Sequence, residues 1–253
     1  MNQKQLWEKQ ASADPIFAAI TTKQQDYKDR LDHPIPFLVE ADDKILELGC
    51  GWGRTLLPLT KRSKFVVGLD ISYTMLAHVK KRGKKFGVLP NLVQADLAHL
   101  PFKPETFSIA FSTLVLMHVS QKQMTASLYE MHKILKKKGR LIVTLPNKNT
   151  TIGMISTFGR KLKWILGLSS TDAYVRYYTY SSLRLIFTKI YPHVTIKATQ
   201  YRPLSYIPNT KIRIYNPNNP FFQRMSLWME HRANAKYPLL KRFCQEFLIL
   251  ARK

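Results

Sequence analysis

Acidic residues are scarce in this chain. Its 253 residues contain 16 Asp and Glu against 40 Lys and Arg, a formal net charge of +24. Such an imbalance points to contact with a polyanion: nucleic acid, an anionic membrane surface or an acidic ligand. Cysteine is almost absent. Cys50 and Cys244 cannot build a disulfide framework, which fits a reducing compartment. No run of about 18 uncharged apolar residues exists, so a membrane-spanning helix is excluded. The first residues, Met-Asn-Gln-Lys-Gln-Leu-Trp-Glu, lack the apolar stretch of a secretory signal. The expectation is a cytoplasmic protein, with peripheral membrane association left open. Repeats and low-complexity linkers are lacking too.

The 45% apolar content is enough for a sizeable core, and one domain over 1–253 is the simplest reading. Charge is uneven along it: residues 1–150 hold 23 bases and 13 acids, and residues 151–253 hold 17 bases and 3 acids. Short β-rich runs alternate with helical stretches, the signature of a parallel sheet built from βαβ units. The strand candidates are Lys44–Leu48, Phe65–Leu69, Leu92–Ala95, Phe107–Phe111 and Arg140–Leu145. Helices are expected over Arg54–Lys61, Ser72–Lys85 and Gln121–Lys137. The last ends in Lys136-Lys137-Lys138-Gly139, which suits a helix C-terminus. Further on, Ser181–Ile190 reads as a helix, Val194–Ala198 and Phe247–Ala251 as strands, and 201–239 as an insertion between them. Thr151–Leu168 is apolar but for Arg160, Lys161 and Lys163; it reads as an amphipathic segment, either interfacial or a lid.

The most informative stretch is Lys44-Ile-Leu-Glu-Leu-Gly-Cys-Gly-Trp-Gly-Arg54. A strand runs into Gly49, Gly51 and Gly53 and then into a helix, so the backbone can turn tightly and approach a ligand. A nicotinamide fingerprint starting at Gly49 would need glycine at position 54, which is Arg. Asp70 ends the second strand and can accept hydrogen bonds from both hydroxyls of a ribose. Asp96 follows the third strand.

These elements resemble the ordered motifs of the class I S-adenosylmethionine-dependent methyltransferases, in particular the quinone- and small-molecule-methylating branch. The resemblance is dense over residues 40–150 and loose over 175–253. It implies a Rossmann-like α/β fold: a seven-stranded mixed sheet with helices on both faces. Residues 1–40 would form a helical lid, 41–150 the cofactor core, and 151–253 a C-terminal half. It implies S-adenosylmethionine as cofactor, lined by Glu47, Gly49, Cys50, Gly51, Gly53, Asp70, Ile71, Asp96, Leu97 and Ser112. One departure stands out: strand four carries Ser108 where the family usually has Asp.

The family's chemistry needs alignment and exclusion of water more than acid–base machinery. His118, just past strand four, is the base candidate, or else a wall of the acceptor pocket. Tyr177 and Tyr178 are candidates for the pocket floor. Asn/Asp-Pro-Pro-aromatic is missing after strand four, which argues against exocyclic-amine methylation. Pro146-Asn-Lys-Asn after strand five offers no acids for a metal, so none is expected. The acceptor is read as a small or lipophilic molecule. The alternatives are an RNA acceptor, or a non-catalytic adaptor that binds cofactor only.

Overall fold

The computed structural model describes residues 2–13, 38–150, 175–199, 220–235, 239, 241, 244 and 246–253. The amphipathic segment 151–168 lies outside the described residues, as do 14–37 of the N-terminal lid and 201–219 of the insertion. Within that insertion, Pro220–Ala235 is a helix.

Seven strands form one mixed sheet: β1 (Lys44–Leu48), β2 (Phe65–Asp70), β3 (Asn91–Gln94), β4 (Phe107–Thr113), β5 (Leu135–Pro146), β6 (His193–Thr199) and β7 (Glu246–Arg252). Their order is β3-β2-β1-β4-β5-β7-β6. Between them run α1 (Gln3–Ala13), α2 (Leu56–Leu59), α3 (Tyr73–Lys85), α4 (Gln121–Ile134), α5 (Tyr180–Thr188) and α6 (Pro220–Ala235). The chain divides into two compact units. One comprises 1–115, 121–142 and 252–253; the other comprises 116–120 and 143–251.

In the first unit β1 is central, paired in parallel with β2 on one side and β4 on the other. Four of its five residues, Ile45 to Leu48, are buried, as a strand covered on both faces requires. The chain runs from β1 outward to β2 and β3 and returns to β4 on the other side of β1, so the strand order reverses at β1 and β4, whose carboxyl ends are the usual ligand position in such sheets. At the opposite end, Asp43 joins the turn before β1 to β4 and β5. Its carboxylate accepts from Arg140 Nη2 at 3.0 Å, from Ser108 Oγ at 2.8 Å and from the Glu40 N–H at 2.9 Å. Ser108 Oγ in turn accepts the Lys44 N–H at 2.9 Å. Ser108 is therefore a pin between β1 and β4.

Three expected boundaries move, and the first is the strand read from Arg140, which begins at Leu135. The helix read over Arg54–Lys61 is a single turn, Leu56–Leu59. The helix read to Lys137 stops at Ile134, because the carbonyls of Lys133 and Ile134 accept the N–H groups of Glu105 and Thr106 at 3.2 and 2.8 Å. Lys136, Lys137 and Lys138 instead begin β5, exposed, with Lys138 at φ +62°. They do not cap the helix.

The second unit is organised around Asn147, fully buried, whose Nδ2 donates to the Cys244 carbonyl at 2.7 Å. A Thr179–Ser182 capping box starts α5. The side chain of Asn234 in α6 bonds both the N–H and the carbonyl of Ala198 in β6, each at 2.9 Å.

Asp43→Ala strips the anchor that joins the turn before β1 to Ser108 at the start of β4 and to Arg140 within β5. The side chain of Arg140 is 34% exposed, so water screens that arm. We expect a loss of about 1–3 kcal/mol, read as a lower urea midpoint at unchanged m-value.

Candidate active site

The loop after β1 is held by a small set of backbone bonds. The N–H groups of Gly49 and Cys50 both donate to the Leu69 carbonyl of β2, at 2.7 and 2.9 Å. The Gly51 N–H donates to Asp70 Oδ2 at 2.8 Å, and the Ser72 N–H to Asp70 Oδ1 at 2.9 Å. Asp70 thus clamps the loop to the start of α3 and still keeps acceptor lone pairs on each oxygen. The Ala95 N–H donates to the Asp70 carbonyl at 3.1 Å, bringing Asp96 beside this clamp. Asp96 is exposed and its Oδ1 accepts the Ala98 N–H at 2.9 Å. Leu97 is buried next to it, and Ile71 is half-buried with its carbonyl accepting from Gln94 Nε2 at 3.0 Å.

The glycines serve different ends. A Cβ on Gly49, at φ +70°, would stand 2.5 Å from the Val115 methyls, so this glycine lets β4's exit segment pack on the loop. A Cβ on Gly51, at φ +48°, would meet nothing within 4 Å. It would project into an open cradle at the carboxyl ends of the strands, where a ligand can lie against bare backbone. On Gly53, a Cβ would press on Val79 of α3 at 2.9 Å.

Buried polar atoms cluster here. Among the described residues, Glu47 Oε2, Ser112 Oγ and Thr113 Oγ1 are buried without a hydrogen-bond partner. They sit at the ends of β1 and β4, whose register pairs Glu47 with Phe111. Burial pushes the Glu47 carboxyl well above its usual range, and the neighbouring Asp70 charge adds to this against the pull of Arg54. Burial also raises Asp70, partly offset by the N–H groups of Ser72 and Gly51. The Cys50 thiol is pushed up by burial and by both carboxylates, so it stays a protonated packing group over Gly68. This set suits S-adenosylmethionine. Bare backbone and the Asp70 lone pairs can take a ribose, and the free Oε2 of Glu47 can meet a cation.

In the second unit, His118 ends a 3₁₀ turn, Leu116–His118, and is half-buried. The Arg176 N–H donates to the Met117 carbonyl at 2.8 Å, tying the chain just before Tyr177 to that turn. Tyr177 is half-buried. Tyr178 is 4% exposed and locked between the Pro146 carbonyl and the Lys148 N–H, a packing residue more than a surface for a ligand. Among the described residues no three His, Cys, Asp or Glu side chains converge as a metal site.

Sequence reasoning missed Glu8 and Val115. Glu8 of α1 accepts the Tyr73 N–H at 2.6 Å and the Thr74 N–H at 3.3 Å, covering the start of α3. Burial raises its carboxyl, but bonds from Thr74, Tyr73 and Ser72 outweigh that and hold it low. Ala11, Trp52 and Met75 pack together beneath it. An acid in a weakly amphipathic helix, 65 residues from its partner, carries no local signal. Val115 was signalled only indirectly, by the need for glycine at 49.

A methyltransferase domain model matches residues 46–143. A methyltransferase of Bacillus subtilis, YodH, is 40% identical over 101 residues, which is 40% of this chain and 42% of that protein. The ubiquinone/menaquinone biosynthesis C-methyltransferase UbiE of Wigglesworthia glossinidia brevipalpis is 30% identical over 107 residues, 40% of this chain and 42% of its own. The chain thus matches less than half the length of these curated relatives. An S-adenosylmethionine-dependent methyltransferase structure from Thermotoga maritima superposes over the whole of both chains, with TM-score 0.64 at 18% identity, a likeness of fold.

Two outcomes check the site. Gly51→Ala strains the backbone by about 1–2 kcal/mol and places a methyl in the cradle, so calorimetry should show cofactor affinity falling about tenfold or more. Gly49→Ala should mainly unfold the domain. Glu47 keeps its proton longer folded than unfolded, so it destabilises progressively as pH rises above the ordinary carboxylate range. Glu47→Gln should therefore gain stability relative to the parent between about pH 5 and pH 8, followed by thermal melts. With the glycine cradle, the clamped acid and the sheet order in hand, residues 46–143 match a methyltransferase domain, set in the Rossmann-like fold seen in S-adenosylmethionine-dependent methyltransferases.

Proposed function

We propose that the protein transfers a methyl group from S-adenosylmethionine to a small or lipophilic acceptor, by direct displacement and without a metal. The observation that carries this reading is the open cradle over Gly51, bordered by Asp70 and by the unpartnered Glu47, Ser112 and Thr113 oxygens. When bound, the cofactor supplies a methyl already activated by a sulfonium, with a neutral thioether as leaving group. The chain's own residues then have three tasks.

Asp70 accepts the ribose hydroxyls while its bonds to Gly51 and Ser72 keep it fixed. Asp96, just past β3, is the partner for the adenine end. Glu47 becomes ionised against the cofactor's ammonium, which offsets the cost of keeping a carboxylate buried. On this reading His118 takes a proton from the acceptor or walls its pocket, and Tyr177 borders the same pocket. The lipophilic acceptor draws support from the quinone named for UbiE and from the absence of an amine-methylating Asn/Asp-Pro-Pro signature after β4.

The test is turnover with radiolabelled cofactor against an organic extract and, separately, total RNA. Label in the organic fraction supports the reading; label only in RNA moves the acceptor to nucleic acid; none in either leaves a cofactor-binding adaptor. For His118→Asn, a base role predicts kcat down by about 100-fold or more and loss of the acidic limb of the pH profile. A wall role predicts a higher KM with that limb intact.

A further inference from the structure

The amino-terminal ends of β2 and β3 face away from the glycine loop, roughly 16 Å along β2 from Asp70. Five cations are exposed there: Lys61, Arg62 and Lys64 after α2, and Lys84 and Lys85 at the end of α3. Between residues 48 and 95 the sequence has one acid, Asp70, and it is buried in the site. Apolar side chains sit among the cations. Leu89 is 79% exposed, Phe65 40% and Phe86 39%. The surface is continuous. Lys61 Nζ lies 6.0 Å from the Phe86 ring centroid, Lys44 Nζ lies 5.4 Å from that of Phe65, and Val67 pairs with Asn91. Its border is also defined: the Lys64 N–H donates to the Ala41 carbonyl at 3.3 Å, which places the exposed Glu40 and Asp42 on the β1 side.

We propose that this end of the first unit docks on an anionic lipid membrane, with Leu89 and Phe86 entering the interface and the surrounding lysines meeting lipid phosphates. Cations alone would serve any polyanion. An aliphatic tip in the Gly87-Val88-Leu89-Pro90 turn is of no use to a nucleic acid, and both rings already have a lysine ammonium over them, so they make poor stacking platforms. Bases encircling an aliphatic and aromatic tip are the composition of a membrane interface. Docking here would leave the cradle over Gly51 open, because the two lie at opposite ends of the same strands. The inference is independent of which acceptor the domain uses.

The experiment exploits the burial of both native cysteines. In the full chain, Leu89→Cys is labelled with an environment-sensitive dye and mixed with phosphatidylcholine vesicles, with or without phosphatidylserine. The expected result is a blue shift with the anionic vesicles alone, reversed by high salt. Co-sedimentation of the Lys61→Ala/Lys64→Ala/Lys84→Ala/Lys85→Ala variant should show affinity weaker by at least about tenfold at an unchanged melting temperature. An unshifted dye while the parent sediments with vesicles would place the membrane contact elsewhere and overturn the proposal. So would a fourfold variant that binds like the parent. Retention on single-stranded RNA with no vesicle binding would assign the patch to nucleic acid instead.

Discussion

Everything in the first unit turns on the join between β1 and β2. The Leu69 carbonyl takes two N–H groups from the loop, and the Asp70 carboxylate one residue later takes a third, while reaching forward to Ser72. One strand end therefore fixes the glycine turn and the first turn of α3 together. Only glycine tolerates that fold at 49, where the Val115 side chain fills the space a Cβ would need. The cradle over Gly51 follows as a by-product. Once its neighbours are tied down, the middle glycine alone has nothing against it.

This clamp is built from charge that burial opposes. Burial pushes Glu47 and Asp70 toward their protonated forms, the Asp70 charge adds to the rise at Glu47, and both carboxylates raise the Cys50 thiol. Two buried acids so close oppose folding of the loop, and a cation held beside them would relieve this. Such a site exchanges stability for affinity, a pattern common where ligands bind.

The strands were legible because their cause is local. Lys44–Leu48 is an apolar run bounded by polar turns, and it forms with those same ends; Phe65, Asn91 and Phe107 start strands within a residue of where β-branched and aromatic runs begin. What failed was decided at a distance. The helix over Gln121–Lys137 looked capped by its own lysines, yet it ends where Glu105 and Thr106 claim its carbonyls. Ser108 looked like a lost family acid; its hydroxyl joins Asp43 to Lys44 at the far end of the sheet, work that only the fold reveals. The glycine spacing named a cofactor loop, but only coordinates separate the glycine that frees space from those that fill it.

The scarcity of acids acquires a different meaning once their positions are known. Asp43 joins the turn before β1 to β4 and β5, Asp70 clamps the loop, Glu8 covers the start of α3, and Asp96 closes its own turn. Glu130 holds the Leu100 N–H at 3.1 Å, and Glu105 meets Lys253. Among the described residues, each of these acids is engaged with a backbone N–H or a cationic side chain. Lys84 and Lys85 close α3, where they complement the helix dipole, and both are exposed. Between residues 48 and 95 the one acid, Asp70, is buried in the site, so that stretch offers no exposed acid to offset the lysines around Phe86 and Leu89.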